Sequence, residues 1–105
     1  MSDALDKLIE AVEDGTFLMD LLPDGRTERI AYEAFSGSID AAKALHEALL
    51  PSPWSCILTV LPRAGAADLH WRGNMEPAFT GISANPARAW LIAVLRVYRT
   101  AQREA

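Results

Sequence analysis

Apolar residues recur at three- and four-residue steps in three stretches of this chain and run together or alternate in the stretches between. In residues 3–14 the stripe is Leu5, Leu8, Ile9 and Val12, with Ser2 or Asp3 placed to cap and Gly15 placed to end an amphipathic helix. Phe17, Leu18, Met19, Leu21 and Leu22 follow with no period, which reads as an ordered loop or short turn pressed on the core. After the turn signal Pro23-Asp24-Gly25, Ile30, Tyr32 and Ala34 alternate with polar residues. The stretch from Thr27 to Phe35 therefore reads as a short strand, or as extended coil leading to the next helix.

That helix is the second stripe: Ile39, Ala42, Leu45, Ala48 and Leu49, with Ser38 as N-cap, Asp40 in the first turn, and Lys43, His46 and Glu47 on the flank facing water. Pro51 and Pro53 stop it. Trp54–Leu61 is a short apolar run rich in strand formers, apolar enough on both faces to expect cover on both sides. Arg63 to Ala66 supplies a turn, and a second strand at about 67–72 pairs back to give a hairpin. Ala78 to Ile82 adds a short edge strand. The third stripe is the clearest. Asn85 caps, Pro86 takes the first helical position, and Trp90, Leu91, Val94, Leu95 and Tyr98 with Ala87 form the buried face of a helix reaching about residue 103. Three helices and a short antiparallel sheet make a single α+β layered domain spanning 1–105.

Composition fits a globular core: 50% of residues are hydrophobic and 23% charged. One cysteine excludes an intrachain disulfide and suits a reducing compartment. No run is long enough to span a bilayer and no secretory signal precedes the first helix, so a soluble, cytoplasmic protein is expected, with no membrane partner. The net charge of −4 divides unevenly. Residues 1–50 hold eleven acids and four bases, residues 51–105 three acids and six bases. The acidic balance argues against nucleic acid, while the basic half leaves room for an anionic partner.

Candidate chemistry is sparse. Cys56 lies in an apolar strand without a neighbouring charge to lower its pKa, which reads as structural. His46, His70 and Cys56 have no recognised ligand spacing, so no metal is expected. Asp68 and His70 share a strand face, where an acid–base pair is less expected than an ion pair involving Arg72. There is no phosphate loop and no nucleophile elbow. The best functional candidate is the basic side of the last helix, Arg88, Arg96, Arg99 and Arg103, joined by Trp71 and Arg72 as an aromatic–basic patch. Against that stands a plainer reading, in which these arginines pair with Asp3, Asp6, Glu10 and Glu13 of the first helix.

Phe35, Ser36-Gly37-Ser38-Ile39-Asp40-Ala41-Ala42 with Leu45, then Pro51-Ser52-Pro53-Trp54, then Ala84-Asn85-Pro86-Ala87-Arg88-Ala89, together resemble the small bacteriophage and prophage proteins of the phage ABA sandwich domain. The resemblance covers about residues 32–100, and Lys43 and Arg88 depart from its usual apolar or small residues. It implies an α/β/α layered fold and a phage-related origin, and carries over no activity, cofactor or catalytic residue. The expectation is a non-enzymatic phage or prophage accessory protein that acts by binding a protein partner, either inhibiting a host factor or serving as an accessory to it. The alternative is a protein that binds or sequesters a small anionic ligand such as a nucleotide. A homo-oligomer is compatible with either.

Overall fold

The computed structural model describes residues 3–22, 24–50, 54–72, 75 and 78–104, and the backbone alone for Asp3, Arg103 and Glu104. Its elements in chain order are α1 (Asp3–Glu13), α2 (Gly25–Phe35), α3 (Ile39–Leu49), β1 (Trp54–Leu61), β2 (Ala64–Trp71), β3 (Phe79–Ser83) and α4 (Pro86–Glu104). The strands form one antiparallel sheet in the order β1-β2-β3. The fold is α+β, as expected.

The central element is α4. Leu91, Ile92, Ala93, Val94 and Leu95 are buried on successive positions, and Ala87, Ala89 and Val97 extend the burial to both ends. A helix buried all round needs neighbours all round. On one side α4 lies across the sheet, and on its other sides it meets α1, α2 and α3. Small residues let it approach the sheet closely. A Cβ on Gly81 of β3 would stand 2.0 Å from the Ala89 carbonyl oxygen, and one on Gly65 of β2 would stand 2.5 Å from the Pro86 Cα.

Among the described residues four helices form rather than three. Thr27–Phe35 is helical because Asp24 caps it: its carboxylate accepts from the Thr27 amide at 2.8 Å and from the Thr27 hydroxyl at 3.0 Å. The buried stripe of α2 is Thr27, Glu28, Ala31 and Ala34, whose small or polar members give little hydrophobic signal, while the alternation of Ile30, Tyr32 and Ala34 imitates a strand. The helix closes on Gly37 at φ +116°, with the Gly37 amide on the Ala34 carbonyl and the Ser38 amide on that of Glu33. Ser38 then caps α3 by accepting from Ala41, so two helices share one tight corner.

All helix cover lies on one side of the sheet. The α/β/α layering implied by the resemblance, and the cover expected on both sides of β1, do not form among the described residues, because α1, α2 and α3 bury their stripes on α4 instead. One boundary and one burial pattern also differ. β2 begins at Ala64, so the hairpin loop is only Pro62-Arg63. In α3, Ile39 is exposed and His46 is buried, the reverse of the expected pattern. Leu5, Leu8, Ile9 and Val12 of α1 are buried as expected, and Gly15 ends that helix at φ +92°. Phe17 lies in a loop with its ring 5.5 Å from Tyr32 and 5.7 Å from Phe35. The proposed caps Ser2 and the Asp3 side chain, and the stops Pro51 and Pro53, fall outside the described residues.

Candidate functional site

Arg88, Arg96 and Arg99 of α4 are bound within the molecule. Arg96 bridges α1 and β3: one guanidinium nitrogen lies 2.7 Å from a Glu13 carboxylate oxygen and the other donates to the Thr80 carbonyl. Arg99 meets Asp6 at 2.9 Å. These are the ion pairs of the plainer reading, the acidic first helix against the basic last one. Arg88 donates to the Phe35 carbonyl at 3.1 Å and lies 4.0 Å over the Phe35 ring, fixing the start of α4 to the end of α2. The Arg103 side chain is outside the described residues. Arg72 follows β2 at φ 51°, its guanidinium 5.3 Å above the Trp71 ring. Trp71 in turn meets Trp54 edge-on at 5.1 Å. Arg88, Arg96 and Arg99 thus each have partners of their own within the fold, and Arg72 stacks on Trp71.

Two surfaces that the sequence did not single out remain. The first is a groove of about 490 Å³ between α3, the head of β1 and α4, lined by Lys43, His46, Glu47, Leu50, Trp54, Cys56 and Trp90. His46 organises it. The Trp90 indole, a donor only, gives its N–H to His46 Nδ1 at 3.2 Å. The ring proton therefore sits on Nε2, which donates to the Trp54 carbonyl at 3.2 Å. Both imidazole nitrogens are occupied in holding three elements together, which leaves neither for proton transfer or metal. Burial, and secondarily the charge of Asp68, pushes the Cys56 thiol up to about 11, so it stays protonated and a poor nucleophile at neutral pH.

The second surface is the face of the sheet turned away from α4. The register places Ser55 beside His70, Ile57 beside Asp68 and Thr80, and Thr59 beside Ala66 and Ile82. Ile57 is 59% exposed and Ile82 71% exposed, although both stand in regular strands. Asp68 is engaged by the Thr80 hydroxyl at 2.8 Å. His70 is buried on this face, while His46 and Cys56 line the groove on the other, so the three residues weighed as metal ligands do not converge. Among the described residues no three His, Cys, Asp or Glu side chains group as a metal site, and no helix is long and apolar enough to cross a membrane.

The signal for the open face was present in the odd positions of β1, which are half apolar, but their exposure depended on which side the helices took. Compared with family models, curated proteins and solved structures, the chain matches none.

Proposed function

We propose that this chain acts by binding a protein partner through the open face of its sheet, with no catalytic step. The observation that carries this reading is the pair of exposed isoleucines, Ile57 and Ile82, set among Thr59, Ala66 and the Asp68–Thr80 pair on the open face of a regular sheet. Exposed apolar residues on a rigid surface are what an interface core is made of. The face holds little charge on a chain of net −4, so its partner presents an uncharged, apolar patch rather than a basic one. The resemblance of its capping motifs to those of phage sandwich proteins is what suggests a phage or prophage setting in the host cytosol, where inhibition of a host factor is one form such binding takes.

Ile57→Lys and Ile82→Lys, singly and together, test this. Both side chains are largely exposed, so circular dichroism and melting temperature are expected to hold while capture of the wild-type partner from host lysate is lost. Capture undiminished in the folded double variant would overturn the face as the contact surface.

The groove supports a second reading, a small anionic ligand held between Trp54 and Trp90 with Lys43 as its cation. Its volume suits a nucleotide-sized molecule. A thermal-shift screen with nucleoside mono- and diphosphates is expected to raise the melting temperature in the wild type and not in Lys43→Gln. No shift with any of them would remove this reading.

A further inference from the structure

We propose that β1 pairs edge to edge with β1 of a second copy, joining two three-stranded sheets into one of six strands. This concerns the strand edge, and it stands independently of what docks on the open face.

The two edges of the sheet are treated differently. β3 is five residues long, and Arg96 donates to its Thr80 carbonyl from the side, a short edge with a cation laid against it. Those are devices by which proteins prevent strand addition. β1 has none of them. It is eight residues long, WSCILTVL, with no charged residue and no proline. Among the described residues, the contact on this edge from outside the sheet is at its head, where His46 of α3 holds the Trp54 carbonyl. On the helix side of this edge Val60 is 63% exposed, because α4 covers β2 and β3 far more than β1. An apolar, unguarded edge of this length invites another strand.

Symmetry and charge select a second copy as that strand. A two-fold axis perpendicular to the sheet makes β1 antiparallel to itself and keeps both helix layers on the same side. Residues then pair with others of the same face. With Trp54 held by His46, the free segment is Ser55–Leu61, whose midpoint is Leu58. A register centred there sets Cys56 against Val60 and Ile57 against Thr59 of the second copy, and covers the exposed valine. The strand is neutral, so two copies of net charge −4 meet where neither carries charge. Beside the edge, Lys43 and Glu47 rim the groove on α3, both exposed. That groove stands at the head of β1, by Trp54 and Cys56, away from an axis through Leu58, so the pairing rests on the strand edge alone.

The test is sedimentation or light scattering across a concentration series. The wild type is expected at twice the 11.5 kDa chain mass, dissociating on dilution. Amide exchange along β1 should slow as concentration rises. Ile57→Lys with Thr59→Lys places like charges opposite one another across the two-fold, and should weaken the dimer at least about tenfold with circular dichroism unchanged. An equimolar mixture of that variant with Ile57→Glu/Thr59→Glu should pair again. Ile82→Lys, on the open face at β3, should leave the dimer intact. A wild-type monomer at all concentrations would overturn the proposal. So would a dimer that survives the lysine pair on β1 and breaks at Ile82, since that would be packing of face on face.

Discussion

His46 shows how one side chain can be both polar and part of the framework. Its two nitrogens tie Trp90 of α4 and the Trp54 carbonyl of β1 to α3, and its ring stands edge-on to Trp90 at 5.9 Å. His46→Leu keeps the volume but strips a partner from each bond, so it should cost about 1–3 kcal/mol in urea denaturation, with a changed Trp90 environment in near-UV spectra. Helical spacing placed His46 on a solvated flank because position on a stripe carries no information about a tryptophan 44 residues away. Cys56 was read as a buried structural residue; it is half-buried and lines the groove, and its pH behaviour follows from its surroundings. Its thiol is raised from 9.0 to about 11 in the fold, so the unfolded chain loses its proton first as pH rises. Stability should therefore fall between about pH 9 and 11 in the wild type and less in Cys56→Ala. Alkylation of the folded protein should stay slow until the same range.

At the scale of elements, caps and close approaches decide more than hydrophobic stripes do. Asp24 starts α2, and its hydrogen bonds to Thr27 hold its carboxyl below the usual value of 3.8. A depressed carboxylate contributes stability that is present above 3.8 and is lost as pH falls through the lower folded value. Asp24→Asn keeps a capping oxygen without the charge, so it should remove part of the acid sensitivity while α2 remains helical by circular dichroism. The tripeptide Pro23-Asp24-Gly25 was read as a turn, and α2 was missed because its buried face is mostly alanine and threonine. Where apolar residues were large and periodic, in α1 and α4, the elements and their ends were legible. The joint between α4 and β3 was not, because it rests on an absence of side chain. Gly81→Ala would drive a Cβ into the backbone of α4, which cannot yield locally, and should cost about 3 kcal/mol or more.

For the whole molecule, part of the charge of the two unequal halves is paired across the fold. The acidic α1 lies against the basic α4, and Arg96–Glu13 and Arg99–Asp6 span a sequence separation of 83 and 93 residues. The arginines were legible as a group, but their role depended on which helix lay beside them. The apolar stripe of Leu5, Leu8, Ile9 and Val12 holds α1 in place, and the ion pairs orient it. Each pair is partly exposed and so contributes about 0.2–1 kcal/mol, open to screening by salt. Arg96→Gln with Arg99→Gln should therefore lower stability by roughly 1 kcal/mol at low ionic strength. The gap from the wild type should narrow as sodium chloride rises to about 1 M, where screening leaves little of either pair. Glutamine at 96 still has a donor for the Thr80 carbonyl, so what salt removes is the charge contribution. A gap that held constant through the salt series would assign these arginines to packing and hydrogen bonding alone. A change in oligomeric state in this variant would instead show that the β3 edge is kept closed by the charge of Arg96 itself.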